Sequence, residues 1–177
     1  GGITRALLRI DVSNLRLLEP ENIQDVRLVM NYNYPSGNPT LGLYRITEDN
    51  ADWKLDKATW KQKSSDTDWT GGPGGGEPGA GTYAEGPIDT CKADHHPGKV
   101  VFEIPSSLVR TWIQGNESGQ NPSFMLRFED KGSIILETQG YPPATSTHLY
   151  VDADWEADET FYRNASGEVS LLGAPAV

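Results

Sequence analysis

Four acidic residues near the C-terminal end of the chain recur at every second position. Asp152, Asp154, Glu156 and Asp158 alternate with apolar or small residues. Because successive side chains of a β-strand point to opposite faces, a strand here would carry all four carboxylates on one face. Calcium prefers such oxygen ligands, and a bound cation would relieve the repulsion between the acids. These four residues are our candidate calcium site, with a solvated acidic strand edge as the plain alternative.

A second group of possible metal ligands lies in the middle of the chain. Cys91, His95 and His96 are the ligand types that zinc prefers, and they are close together in sequence. Structural zinc sites use four ligands, however, so we favour a solvated turn here. Cys91 is also the one candidate nucleophile, and the sequence places no partner beside it. Motifs for serine hydrolases, zinc proteases and nucleotide binding are missing, so we expect a protein without enzymatic activity.

Aromatic side chains form the third candidate group, since exposed indole and phenol rings can hold the apolar faces of sugar rings. Trp53, Trp60 and Trp69 lie in sequence without strand or helix periodicity, and they could belong to a core or to a platform. Tyr141 stands between a glycine and two prolines, which is the most exposed local context of any aromatic residue here. Our candidate ligand-binding residues are Trp53, Trp69, Tyr83 and Tyr141.

The overall composition excludes several classes of partner. The chain has 177 residues with 15 Lys+Arg against 25 Asp+Glu, which gives a formal net charge of −10. Proteins that bind nucleic acids or anionic membranes through phosphates need basic surfaces, so we predict neither partner. No apolar run is long enough to span a bilayer, and we expect no membrane insertion. Asn116 and Asn164 each begin an Asn-x-Ser pattern and are candidate glycosylation sites.

Alternation of apolar and polar residues dominates the chain and predicts an all-β protein. In one such segment Met30, Tyr32 and Tyr34 are expected to share a face. Several strands joined by short turns predict an antiparallel β-sandwich, specifically a jelly roll, with one short helix and a long glycine-rich loop. The predicted strands are 5–12, 23–34, 40–47, 99–104, 123–129, 132–138 and 147–155.

The one predicted helix follows Ser106, which can cap its first turn, and ends before Gly115. Apolar residues recur in it at helical spacing, so we expect it to cover one end of the sandwich. Trp112 lies on its apolar face and Trp155 on the inward face of the last predicted strand. Both tryptophans are therefore assigned to the core.

Between residues 48 and 98 the alternation breaks, and residues 71–81 are mostly glycine. A segment with so few side chains to pack is unusual inside a compact domain and is often functional. We expect something to hold it in place: a bound cation, a neighbouring subunit or a crystal contact. Five acidic residues nearby could supply calcium ligands: Asp66, Asp68, Glu77, Asp89 and Asp94.

The sequence divides into a sandwich domain over residues 1–156 and a C-terminal extension over residues 157–177. Val169 and Leu171 stand at strand spacing in this extension, beside Leu172. We expect these three residues to form a donor or edge strand, which could join neighbouring chains by adding to an open sheet edge.

The order of these pieces resembles the DNRLRE-type β-sandwich, a disaggregatase-related, carbohydrate-binding-module-like domain of secreted bacterial and archaeal proteins. The resemblance runs over residues 3–153. The residues that carry it are Arg5-Ala6-Leu7-Leu8-Arg9-Ile10-Asp11-Val12-Ser13-Asn14-Leu15, Ile23 to Tyr32, Leu43-Tyr44-Arg45-Ile46-Thr47, Trp53, Thr59-Trp60, Trp69 with Gly71-Gly72, Val109-Arg110-Thr111-Trp112-Ile113-Gln114-Gly115 and Phe124-Met125-Leu126-Arg127.

This resemblance implies that Trp60, Trp69 and Trp112 are framework residues. It also implies a non-catalytic module of the kind found on extracellular polysaccharide-active enzymes and surface proteins, some of which bind acidic polysaccharides such as alginate. Such domains usually carry one or two strands before the segment that matches Arg5 to Leu15. The resemblance therefore implies a sandwich without its first strands.

Two functions follow as expectations. The first is a non-catalytic carbohydrate-binding module, secreted or at the cell surface, with a polysaccharide or glycan as partner and calcium as a candidate cofactor. The second is a structural subunit of an extracellular filament or surface assembly, in which copies of the chain exchange strands. Exposed aromatic rings in a groove would favour the first, and chain ends inserted into a neighbour would favour the second.

Overall fold

The computed structural model describes residues 5–10, 12, 15, 18–114, 122–137, 147–153, 160–163 and 169–172. It contains twelve strands and one α-helix within these ranges. They are β1 Arg5–Arg9, β2 Ile23–Ser36, β3 Thr40–Arg45, β4 Gln62–Ser64, β5 Thr67–Asp68, β6 Asp89–Lys92, β7 Gly98–Glu103, α1 Ser106–Gln114, β8 Ser123–Phe128, β9 Ser133–Glu137, β10 His148–Ala153, β11 Thr160–Arg163 and β12 Val169–Leu172.

Two antiparallel sheets form the body of the protein. The first sheet has the strand order β1-β8-β3-β6, and the second has the order β10-β2-β7. The long strand β2 also pairs with β9, because β10 occupies residues 23–29 of its edge and β9 occupies residues 31–36. The predicted antiparallel β-sandwich is confirmed, and its assignment as a jelly roll stays a prediction.

The main core lies between the two sheets and follows the predicted alternation. In β2 the residues Val26, Leu28, Met30 and Tyr32 are buried, while the residues between them are partly or fully exposed. They form one cluster with buried residues of the first sheet, among them Leu41, Leu43, Phe124 and Leu126. Burial of these apolar side chains is the main force that holds the sheets together.

One face assignment in β2 is wrong. Tyr34 does not continue the inward face of Met30 and Tyr32, since it is 77% exposed and has a φ of 50°. The pairing of β2 with β9 shifts register between Asn33 and Ser36, which is where the strand leaves its regular alternation. A single irregularity of this kind turns every later side chain to the other face.

The helix α1 packs against the beginning of β2, as its apolar face predicts. Val109 and Trp112 are buried, and the Trp112 ring meets that of Phe124 edge to face with centroids 5.8 Å apart. The Nη2 of Arg110 donates to the carbonyl of Ile23 at 2.8 Å, which fixes the helix to β2. The assignment of Trp112 to the core is confirmed.

The C-terminal extension contains a hairpin of its own. β11 pairs with β12 in a two-stranded sheet separate from the two sheets of the sandwich. Val169, Leu171 and Leu172 lie in β12, and one edge of that strand is paired with β11 of the same chain. Their role as a donor strand stays a prediction. None of the helices in the described ranges has the length and apolar character needed to cross a membrane.

Candidate functional site

The segment between β3 and β6, residues 47–88, covers the outer face of the first sheet. Tyr44 of β3 and Met125 of β8 point away from the main core and are 3% and 2% exposed. They are covered by side chains of this segment in a cluster that we call the second core, whose buried members are Tyr44, Ile46, Trp53, Trp69, Tyr83 and Met125. The first sheet is therefore buried on both faces where this segment lies.

Three of the four candidate ligand-binding residues belong to the second core. Trp53 is 1% exposed, Trp69 is 4% exposed and Tyr83 is 0% exposed. These three rings are packed inside a core rather than exposed as platforms, and they anchor the covering segment to the sheet. Their role in ligand binding stays a prediction. Tyr141 lies outside the described residues.

The chain itself supplies hydrogen bonds that hold the glycine-rich part of this segment. The buried Asn50 donates from Nδ2 to the carbonyl of Gly81 at 3.1 Å, and its Oδ1 accepts from the amide of Thr70 at 3.2 Å. Its side chain thus joins the residues on either side of the glycine run. Within the run, the Tyr83 hydroxyl donates to the carbonyl of Gly76 at 3.1 Å. These hydrogen bonds supply partners for backbone N–H and C=O groups in and beside the glycine run, which has few side chains of its own.

Trp60 differs from the other tryptophans of the segment because it is 48% exposed. Its six-membered ring lies against the backbone of Gly74, and a Cβ added at Gly74 would overlap the ring. Gly74 has a φ of +66°, which glycine adopts easily, and its amide donates to the carbonyl of Trp60. One side of the indole thus packs on the Gly74 backbone, while part of its surface faces solvent. The framework role that the resemblance implies for Trp60 stays a prediction.

Replacing Gly74 with alanine should therefore cost more stability than replacing Gly72. Both glycines have positive φ, but a Cβ at Gly72 meets nothing within 4 Å. We expect Gly72→Ala to cost about 1–3 kcal/mol for its positive-φ, extended backbone alone. Gly74→Ala should cost about 1–2 kcal/mol for its left-handed backbone and a further amount of about 1–3 kcal/mol for displacing the Trp60 ring. Urea unfolding measures both, and equal costs would contradict the packing described for Trp60.

A cleft of about 250 Å³ opens beside Trp60. Leu7 and Met125 of the first sheet line it together with Trp69, and the guanidinium of Arg5 lies 5.6 Å from the centre of the Trp60 ring. The Nη1 of Arg5 donates to the carbonyl of Gly74. An apolar lining with a few fixed polar groups is typical of sites for small ligands. This cleft is our candidate functional site.

Charged groups beside the cleft form one connected network. Arg5 of β1 pairs in register with Arg127 of β8, so two cations stand side by side on the outer face of the sheet. Glu77 lies between them, with its carboxylate 3.8 Å from Arg5 Nη2 and 3.4 Å from Arg127 Nη1. Arg127 also has its Nε 3.5 Å from Glu129, and the Tyr44 hydroxyl donates to Glu129 at 2.9 Å.

Burial of the Tyr44 phenol, together with its hydrogen bond to Glu129, raises the pKa of Tyr44 from 10.0 to about 12. The folded protein therefore keeps this proton at pH values where the unfolded chain releases it. Because the folded state then binds more protons, stability should fall as the pH rises from about 10 to about 12. Tyr44→Phe should remove the part of this fall in stability that is due to Tyr44. The free energies of unfolding of both proteins at pH 8 and pH 11 measure the difference. An equal fall between the two pH values in both proteins would contradict the prediction.

The predicted calcium ligands fall largely outside the described residues. Asp152 lies in β10, is exposed and pairs in register with Asp25, whose carboxylate is 2.7 Å from Arg27. Asp154, Glu156 and Asp158 lie outside the described ranges, as do Trp155, Asn116 and Asn164. The calcium site stays a prediction.

The acidic residues near the glycine run are dispersed. The Glu77 carboxylate faces two arginines, and that of Asp89 accepts from the amides of Thr90 and Glu103 at 2.7 and 2.8 Å. The remaining three residues of that set, Asp66, Asp68 and Asp94, are exposed. Across the part of the chain that the structure describes, no three His, Cys, Asp or Glu side chains are grouped to hold a metal ion.

The two histidines of the proposed zinc group lie in an exposed turn. The rings of His95 and His96 are 3.8 Å apart, and Nδ1 of His95 is 2.6 Å from the Asp94 carboxylate. Hydrogen bonds from the backbone amide of His95 lower the pKa of Asp94. Cys91 is a half-buried free cysteine in β6. This arrangement agrees with the solvated turn that we favoured over a zinc site.

Arg5 and Gly74 are site residues that the sequence did not single out. Arg5 stands at an outward position of a strand, where a charged residue is ordinarily solvated. The glycine run was a usable signal, because glycine often marks a place where another group approaches the backbone closely.

Comparison of the chain with models of known protein families gives no match, and comparison with curated proteins gives none either. The fold and the cleft thus define the class, an antiparallel β-sandwich whose first sheet is covered by a second core. The resemblance to the DNRLRE-type domain stays a prediction.

Proposed function

We propose that the protein is a non-catalytic, extracellular module that binds carbohydrate in the cleft beside Trp60. The observation that supports this most is the half-exposed indole, supported by Gly74 and bordering an apolar cleft. Sugar rings have apolar C–H faces that pack on aromatic rings, and hydroxyl groups that need hydrogen-bond partners. The cleft offers both kinds of surface.

The size and lining of the cleft support a small ligand. About 250 Å³ is slightly below the range of roughly 300–1,000 Å³ that drug-sized ligands occupy. Leu7, Met125 and Trp60 supply apolar surface, while Thr59 supplies a polar side chain. A short stretch of a glycan chain, lying against the indole, fits this combination. The resemblance to DNRLRE-type domains, which are mostly modules of extracellular proteins, supports the same function.

A panel of purified polysaccharides tests the proposal directly. Calorimetric titration should find at least one glycan that binds with one site per chain. Titrations with and without calcium test the cofactor that the acidic residues 152–158 suggest. If no neutral or acidic polysaccharide binds under either condition, the proposal is wrong.

A second candidate function, a subunit of an extracellular filament, is favoured by one edge of the first sheet, which no described strand covers. β1 pairs with β8 on one side, and no described strand pairs with its other side. Next to it is a gap of about 290 Å³ between Ala6 and Leu8 of β1 and Ile134 and Leu136 of β9. An extended segment of a second copy could pair with β1 and fill this gap with apolar side chains.

Deleting residues 160–177, which include β11 and β12, tests this second function. The filament hypothesis predicts that the full chain assembles, as seen by light scattering and electron microscopy, and that the shortened chain stays monomeric. A full chain that is monomeric at high concentration would contradict it, as would unchanged assembly of the shortened chain. A monomer is what the carbohydrate-binding proposal expects.

A further inference from the structure

We propose that the cleft beside Trp60 takes neutral sugar rings in preference to uronic acids and other anionic sugars. This inference rests on the proposed function and names the class of glycan. It is drawn from the charges around the cleft. Among the described residues, Arg5 is the one cation that lines the cleft, and its guanidinium already contacts Gly74 and Glu77.

Arg5 cannot present its guanidinium to a carboxylate in the usual way. Its side chain is only 7% exposed; Nη1 donates to the carbonyl of Gly74, and Nη2 faces Glu77 at 3.8 Å. Its Nε is buried and forms no hydrogen bond with any described group. Recognition of a carboxylate by arginine normally uses two parallel N–H groups that are free to point at the ligand. Arg5 has no such pair available.

Two further arginines on this face, Arg127 and Arg9, are also engaged. Arg127 contacts Glu77 and Glu129 at 3.4 and 3.5 Å and donates to the Tyr83 hydroxyl. Arg9 donates to the backbone carbonyls of residues 51 and 53 at 2.7 and 2.8 Å, and its guanidinium lies over the Trp53 ring. An anionic sugar would have to displace one of these partners. Such displacement leaves a polar group unpaired, which is costly where water is excluded.

The covering segment adds a repulsive field. Residues 47–88 contain eight acidic residues against four lysines, and the whole chain has a net charge of −10. Two of those lysines are paired with acids, Lys63 with Asp52 at 2.7 Å and Lys57 with Asp56 at 3.4 Å. A polyanion approaching this surface meets like charge, which slows association and weakens the encounter. A neutral glycan meets no such barrier.

Matched pairs of polysaccharides test the inference. A galactan and a galacturonan, or a mannan and a mannuronan, share a ring and differ in whether C6 is a hydroxymethyl group or a carboxylate. We expect a neutral member to bind at least tenfold tighter than its acidic counterpart, with an affinity that changes less than twofold between 50 and 500 mM NaCl. Tighter binding of the acidic member overturns the inference and leaves the proposed function standing. Binding of neither member of any pair overturns both.

The substitution Glu77→Gln tests the physical cause. It should release Arg5 and Arg127, raise the affinity for the acidic polysaccharide at least threefold and make that affinity fall with added salt. Glu85→Gln is the matched control, because Glu85 is an exposed acid of the same segment that forms no ion pair within the described residues. Equal effects of the two substitutions would show that net charge alone is responsible, which contradicts the role given to Glu77.

Discussion

Replacing Trp60 with alanine should lower the affinity for the bound glycan at least tenfold. The indole is the largest exposed apolar surface at the cleft, and its removal takes away both the stacking face and one wall. A tenfold loss corresponds to about 1.4 kcal/mol, which is within the range expected for an aromatic contact and the apolar area that it buries. Calorimetric titration with the best glycan of the panel measures the change.

Tyr34→Ala is the matched control for this prediction. Tyr34 is 77% exposed and lies in β2 of the second sheet, whereas the cleft is on the outer face of the first. We expect this substitution to leave the affinity unchanged within twofold. Trp60→Ala should itself lower the free energy of unfolding by about 1–2 kcal/mol, because the half-buried ring packs on Gly74 and lies beside Arg5. A Trp60→Ala protein that is folded and binds as tightly as the parent would refute the proposed site.

Replacing Trp53 with alanine should destabilise the protein by about 3–5 kcal/mol, the usual cost of removing a large buried aromatic side chain. Trp53 is 1% exposed in the second core, and the Arg9 guanidinium lies 4.5 Å from the centre of its ring. Without this ring the covering segment loses its largest fully buried side chain. We expect glycan binding to be lost as well, because the same segment holds Trp60 in place.

Trp53→Phe separates the packing contribution from that of the indole nitrogen. The Trp53 Nε1 is buried without a hydrogen-bond partner among the described residues, so phenylalanine loses no hydrogen bond. It should recover more than half of the stability that alanine loses. Urea unfolding followed by circular dichroism measures all three proteins. A cost below about 1 kcal/mol for Trp53→Ala would contradict the contribution of the second core to the free energy of unfolding, since substitutions at exposed positions cost that little.

Much of the sandwich could be predicted from the sequence, because its strands alternate regularly. The seven predicted strands are all present with ends that differ by a few residues, and α1 occupies the predicted segment. The same reasoning missed β4, β5, β6 and β11. Those strands have two to four residues, too few for a period of two to be recognised.

The second core could not be predicted, because it joins residues that are distant in sequence. The alternation in β3 placed Tyr44 on the opposite face from Leu43, and such a face is ordinarily solvated in an antiparallel sheet. Its burial depends on Trp53 and Tyr83, which belong to a segment without any periodicity. The candidate site likewise joins residues that are distant in sequence. Arg5 and Trp60 meet only because the covering segment folds across β1.

Binding of sugar at Trp60 is tested most directly by following the indole N–H signals of the tryptophans by nuclear magnetic resonance while a neutral oligosaccharide is added. The signal of Trp60 is assigned from its absence in a Trp60→Phe variant. We expect this signal to shift in a saturable manner, while the signals of the buried Trp53 and Trp112 move little. A glycan that binds by calorimetry and leaves the Trp60 signal unmoved would contradict binding at Trp60.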